Sequence, residues 1–282
     1  MKAPKRHGPA LWARSLYRGY RRRRDFEHIQ TWCMFIGYPR SGHTIVGALL
    51  DAHPDIVLAT GTGVADLFSS IYTPRQVYSI LVDRAHYLAV SDADRGGYHY
   101  DVPNQWQGRY RTLSVIGEKM GKDGLEIAGN DRLWQRLQGL AGGNLRFLHV
   151  LRNPYDTISS MRQRRNLTLE RKRDIYFEKT EQAVRAIATV GAENVLNLRH
   201  EHFVADPSGE LARTCAFLGI DAPPDYLADC ASIVRRTPNR SRFAAPWTPE
   251  LIADVAARIK AFPFLDGYEF GAPGDDTDQA GG

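Results

Sequence analysis

The chain has 282 residues, 43% of them hydrophobic and 24% charged, which is enough for a sizeable core in one large α/β domain or two small ones. A formal net charge of +5 is mild, and no run approaches the ~18–20 apolar residues that cross a bilayer. Three cysteines, Cys33, Cys215 and Cys230, lack paired spacing, which argues against a disulfide framework or a zinc site and predicts a reduced, cytoplasmic setting.

The positive charge is gathered at the start. Lys2, Lys5, Arg6, Arg14, Arg18 and the run Arg21 to Arg24 precede the first acid, Asp25, and Leu11, Trp12, Leu16, Tyr17 and Tyr20 interleave with them. Two readings stand open for residues 1–24: a solvated leader helix leaning on the domain, or an amphipathic segment in peripheral contact with an anionic membrane surface. Nucleic acid is not expected as a partner. A secretory signal is not expected either, because no apolar core follows the basic start.

Trp32 to Ile36 is a short apolar run closed by Gly37 and reads as a buried strand. Beyond the loop, Ile45, Val46, Leu49 and Leu50 recur at helical spacing until His53-Pro54 stops them. Strand, glycine-bearing loop and helix together form the arrangement in which backbone N–H groups and a helix N-terminus cradle an oxyanion. Gly37-x4-Gly42 followed by His43-Thr44 has the spacing of a nucleotide P-loop. His43 stands where a nucleoside-triphosphatase has lysine, and Arg40 supplies a cation from within the loop.

Ile56 to Ala59 is a second apolar piece, followed by the loop Thr60-Gly61-Thr62-Gly63. Helical patterns run over Val64 to Ile71 and Arg75 to Val90, and the aromatic, Gly- and Pro-bearing stretch Tyr98 to Tyr110 reads as an irregular loop able to shape a pocket. Core strands are predicted at Thr112–Ile116, Leu145–Leu151 and Val195–Leu198. Helices are predicted at about 155–164, 170–190, from Asp206-Pro207 to Gly219, and from Thr248-Pro249-Glu250 onward. Alternating strands and helices predict a P-loop-type parallel sheet with helices on both faces, as a single α/β domain over residues 31–270. Residues 1–30 form a basic extension, and residues 271–282 read as a disordered tail. Such sheets hold ligands beyond the carboxyl ends of their strands, and here Arg40, Lys119 and Arg152 each follow a strand.

Taken together these segments resemble the sulfotransferases. Gly37-Tyr38-Pro39-Arg40-Ser41-Gly42-His43-Thr44 is similar to their 5′-phosphosulfate loop, and Arg152-Asn153-Pro154 with Ser160 resembles their 3′-phosphate segment. Leu198-Arg199-His200-Glu201, Asp206-Pro207, Phe217-Leu218-Gly219 and Trp247-Thr248-Pro249-Glu250 extend the likeness. The loop and Asp51-Ala52-His53-Pro54-Asp55 look most like the tyrosylprotein branch. The resemblance implies 3′-phosphoadenosine 5′-phosphosulfate as cosubstrate, no metal, and transfer of a sulfuryl group to a hydroxyl or amine. The acceptor stays open among small molecules, carbohydrates, lipids and peptides. It further implies cosubstrate binding by Pro39, Arg40, Ser41, Gly42, His43, Thr44, Arg152 and Ser160, with Arg240 and Arg242 from a C-terminal basic segment. Arg40 and Lys119 would carry the transition-state charge.

The pattern departs at Gly61, where the branch has a glutamate as general base. Glu118, Asp66 and His43 then become the substitutes, by proximity. Two alternatives remain in view: a P-loop kinase or nucleoside-triphosphatase, and a nucleotide-binding relative that lacks the base.

Overall fold

The structure, a computed structural model, describes residues 8–91, 100–142, 144–164 and 167–272. Five strands, β1 (Thr31–Ile36), β2 (Ile56–Ala59), β3 (Val115–Glu118), β4 (Asn144–Leu151) and β5 (Val195–Arg199), form one sheet in the order β2-β3-β1-β4-β5. Every pairing is parallel. β1 lies at the centre and is buried throughout. Trp32, Met34 and Ile36 enter one core and Cys33 and Phe35 the other, which is why the strand is apolar from Trp32 to Ile36 rather than alternating.

Helices α1 (Pro9–Arg21), α2 (His43–Asp51), α3 (Val64–Phe68), α4 (Pro74–Val90), α5 (Gly121–Ala128), α6 (Asp131–Ala141), α7 (Pro154–Arg164), α8 (Leu169–Val190), α9 (His200–Ala205), α10 (Pro207–Leu218), α11 (Pro224–Ser232) and α12 (Pro249–Ile259) surround it. α3 to α6 and α8 cover the Trp32 face, and α2 with α9 to α11 covers the Cys33 face. A third apolar cluster joins Tyr38, Tyr155 and Tyr176 to α12, Leu265 and Tyr268, and packs beside the carboxyl end of β1.

The parallel sheet with two helical layers is the predicted one, and most boundaries fall within a residue or two of expectation. β3 is the exception. Residues 112–116 were expected as a strand, yet pairing runs from Val115 to Glu118. Ser114 instead ties the strand starts together, accepting from Gln30 N and Thr31 N at 2.9 and 3.1 Å. Gly117 looks like a strand terminator but lies within the strand, because a Cβ there would stand 1.7 Å from the Cys33 carbonyl oxygen.

α5, α6, α9 and α11 also went unforeseen. α6 did carry signals, with Asn130 accepting from Leu133 N as N-cap and Leu133, Leu137 and Leu140 buried at helical spacing. Of the expected loop over residues 98–110, residues 98 and 99 lie outside the described residues, and the rest is held at the C-terminal end of α2. Trp106 N donates to Ala52 O and Gly108 N to Asp51, both at the C-terminal end of α2. The expected tail falls outside the described residues from 273 onward.

Candidate active site

The loop between β1 and α2 owes its shape to left-handed backbone. Arg40 has φ 76° and Gly42 φ 108°, and Gly42 ends the loop as the N-cap of α2. Glycine is required at 42, since a Cβ would lie 2.6 Å from His200 Nδ1. Ser41 is buried, its hydroxyl donating back to Tyr38 O at 3.1 Å, which closes the turn, while Pro39 is exposed. These bonds aim the start of α2, with its unsatisfied N–H groups and positive dipole end, at the space beyond β1.

Lys119 arrives from the neighbouring strand end. Its stem crosses Gly47, where a Cβ would be 2.4 Å from Lys119 Cδ, and its Nζ donates to Thr44 Oγ1 at 3.3 Å. Burial lowers its pKa to about 8, with Glu118 opposing the shift. On the other side of β1, Arg152 extends from β4. It is 7% exposed and donates through Nη1 to Arg40 O at 3.2 Å and through Nη2 to Asn239 O. Ser160, on the second turn of α7, lies 3.2 Å from Ser241 Oγ, which donates to Asp156 O. The three strand-end cations expected from sequence therefore surround one loop.

Three expectations are corrected. Glu118 was a candidate base, but its fully buried carboxylate accepts from Gly61 N at 2.9 Å, Thr62 N at 3.1 Å, Met120 N at 3.3 Å and the Thr62 hydroxyl. Four donors occupy its oxygens, so it anchors the loop after β2. His43 was placed in the loop as a ligand and base, but its ring turns back against Phe35 at 5.6 Å, with Nε2 3.3 Å from Ile36 O. A carbonyl only accepts, so Nε2 carries the hydrogen. Burial, followed by Lys119 and His149, lowers the ring's pKa to about 3 and keeps it neutral. Arg242 was expected over a phosphate, yet it is 2% exposed and ion-paired to Asp156 at 2.5 Å, with its Nε donating to Phe270 O at 2.7 Å. Arg240 is partly exposed at the start of the same turn.

The sequence reading passed over His200 and Asn239 as site residues. His200 borders Gly42 and is half-buried with its Nδ1 out of solvent, and its pKa falls to about 3 through desolvation and then the Arg152 charge. His53 is fully satisfied, with Asp55 N donating to Nδ1 at 3.0 Å and Nε2 lying 2.8 Å from Asp221 O, and closes the turn after α2. Among the described residues no group of three or more His, Cys, Asp or Glu is placed to hold a metal ion.

No curated protein matches the chain. Among solved structures, the sulfotransferase domain of the Synechococcus PCC 7002 olefin synthase has a TM-score of 0.49 at 15% identity, covering 83% of this chain and 94% of that one. A sulfotransferase from Mycobacterium avium has 0.47 at 13%, covering 93% and 88%. A mouse sulfotransferase complexed with PAP has 0.46 at 15%, covering 83% and 84%. Residues 143–224, from the strand that ends in Arg152 through His200 to the start of α11, match the model of the sulfotransferase family, the same family that the motifs resemble.

Proposed function

We propose that the chain transfers a sulfuryl group from 3′-phosphoadenosine 5′-phosphosulfate to a hydroxyl or amine acceptor. The observation that carries this reading is the bond between two adjacent strand ends, where Arg152 donates to the carbonyl of Arg40 within the loop and so brings the two anion-binding motifs together. The fit to such a ligand is supported by a buried polar atom, His200 Nδ1, that has no partner among the described residues and sits beside Gly42. When bound, the nucleotide would supply an activated sulfuryl group on a phosphate leaving group.

The protein's part is electrostatic. The loop's N–H groups and Arg40 hold the 5′ end. Lys119 offers its charge where the S–O bond breaks, and Arg152 with Ser160 holds the 3′-phosphate through a planar fork and a hydroxyl.

Acceptor deprotonation has weaker support from the chain. Gly61 replaces the glutamate, Glu118 is saturated, and His43 faces inward. The acceptor is accordingly one that is already acidic, a phenol before an aliphatic alcohol.

Adenosine 3′,5′-bisphosphate without metal should raise the melting temperature, with 5′-AMP and magnesium ATP doing much less. Arg152→Ala should weaken the bisphosphate by roughly 10–150-fold, as loss of a charge-assisted pair does, and leave 5′-AMP unaffected. Equal shifts from bisphosphate and 5′-AMP would overturn the cradle assignment. Binding without turnover on any phenol would favour the non-catalytic relative, which the engaged Glu118 keeps in view.

A further inference from the structure

Helix α1 is built inside out. An amphipathic helix ordinarily turns its large apolar side chains toward the core. Here Ser15 and Gly19 are the buried positions, whereas Trp12, Leu16, Tyr17 and Tyr20 are 40%, 45%, 61% and 62% exposed. The inner face is small because the helix approaches α4 closely, and a Cβ on Gly19 would lie 2.8 Å from Arg75 O. Polar contacts hold it there. Gln76 Nε2 donates to Trp12 O at 3.2 Å and Ser15 Oγ at 3.3 Å, and Arg18 and Arg22 reach the two oxygens of Asp83 at 2.6 and 2.8 Å. Docking to the domain therefore does not account for the four large outward side chains. Arg21 and Arg23 lie over the Tyr17 and Tyr20 rings, at 5.9 and 4.6 Å from their centroids, and Arg24 is exposed beside them.

We propose that this outer face docks on an anionic lipid surface. Trp12, Leu16 and Tyr20 recur every fourth residue and Tyr17 stands beside them, giving one apolar stripe along the helix. Aromatic rings with polar tips, flanked by guanidiniums, match the boundary between headgroups and acyl chains. The cations supply the attraction to anionic headgroups. A nucleic acid would engage the arginines but leave the leucine-bearing stripe in water. A second copy of the chain would bring two arginine clusters together. No described helix is long and apolar enough to cross a membrane, so α1 lies on the surface rather than spanning it.

The contact also has an orienting consequence. Asp83 holds α1, and the next residue of α4, Arg84, donates to Thr60 O at 2.9 Å in the loop that Glu118 anchors. Docking through α1 thus sets how the carboxyl edge of the sheet stands relative to the bilayer.

The test does not depend on sulfuryl transfer. The full chain is sedimented with phosphatidylcholine vesicles that do or do not contain phosphatidylglycerol. Binding is expected only to the anionic vesicles and should weaken with salt. Trp12→Ser/Leu16→Ser/Tyr20→Ser should reduce partitioning by roughly tenfold or more with the chain still folded at the assay temperature, as its melting curve checks, because the exposed part of those side chains is buried only on the membrane. Arg21→Glu/Arg23→Glu/Arg24→Glu should reduce it on the order of 100-fold. The proposal is overturned if the parent ignores anionic vesicles, or if the triple serine variant sediments as well as the parent. It is equally overturned if the stripe proves to drive a concentration-dependent dimer or retention on duplex DNA with no vesicle binding.

Discussion

Lys119 shows most directly what a buried cation costs the fold. Burial brings its pKa from 10.5 to about 8, so the folded chain gives up a proton that the unfolded chain keeps until near pH 10.5. Between those values the unfolded state binds more protons, and stability rises with pH. Below about pH 8 the full cost of burying the cation is present. Lys119→Met should therefore resist urea better than the parent at pH 7, with the advantage shrinking from pH 8 to 10.5. Turnover should do the opposite, falling by ~10²–10³ in the variant if the charge stabilises the transition state. In the parent, kcat/KM should decline with a midpoint near pH 8, and Lys119→Arg should move that limb upward. A flat alkaline profile would remove the cation from the mechanism. Gly61 poses the complementary case. Its φ of +69° strains any side chain, costing ~1–2 kcal/mol, although only Arg84 Nη2, at 3.5 Å, lies within 4 Å of a Cβ there. Gly61→Glu should fold at that cost and speed transfer to an alcohol by ~10²–10⁴, with little effect on a nitrophenol. A folded variant with unchanged rates on both would place the base elsewhere.

Between elements, charge is used to fasten segments. The turn over residues 241–244 is sealed onto α7 by Asp156, whose carboxylate accepts from Arg242 N at 2.8 Å and pairs with its guanidinium. Desolvation raises the pKa of Asp156, and Arg242 and Arg152 oppose that rise. Arg242→Ala would leave a buried carboxylate without its cation, so the expected loss is about 3–5 kcal/mol of stability in a denaturant titration. Affinity for the bisphosphate would follow indirectly, through the Ser241 hydroxyl that neighbours Ser160. If the variant keeps its stability and loses only affinity, Arg242 contacts the phosphate after all. Glu118 plays the same part for the loop after β2, and in both places an ionisable residue in a recognisable motif turned out to be held by backbone donors.

At the scale of the whole molecule, the two proposed cradles lie on neighbouring parallel strands and are joined by the bond from Arg152 to the Arg40 carbonyl. A ligand that bridges them ties β1 to β4 and should stabilise the entire sheet. At a bisphosphate concentration 100 times Kd the gain is about 2.7 kcal/mol, or roughly 5–10 °C in Tm for a chain of this size. Amide exchange should slow at residues 37–44 and 152–160 together. Protection confined to one of the two segments would show that they do not share a ligand.

Sequence alone determined the strand-loop-helix at residues 31–51, the parallel architecture and the strand-end positions of Arg40, Lys119 and Arg152. Each of these rests on local pattern: an uninterrupted apolar run for a strand buried on both faces, helical periodicity, and the spacing of two glycines. Tertiary structure alone decided what the charged side chains face. Whether Glu118 is a base or an anchor depends on the N–H groups of Gly61 and Thr62, some 57 residues away in the chain. Whether Arg242 meets a ligand or Asp156 depends on a contact across 86 residues. The true extent of β3 was hidden because Gly117, a turn residue by composition, is needed for close approach to Cys33 on the adjacent strand. The inverted polarity of α1 was hidden for the same reason. An alternation of arginines and rings does not say which side meets the domain until α4 is in place, and there it is the close approach at Gly19 and Ser15 that turns the rings outward.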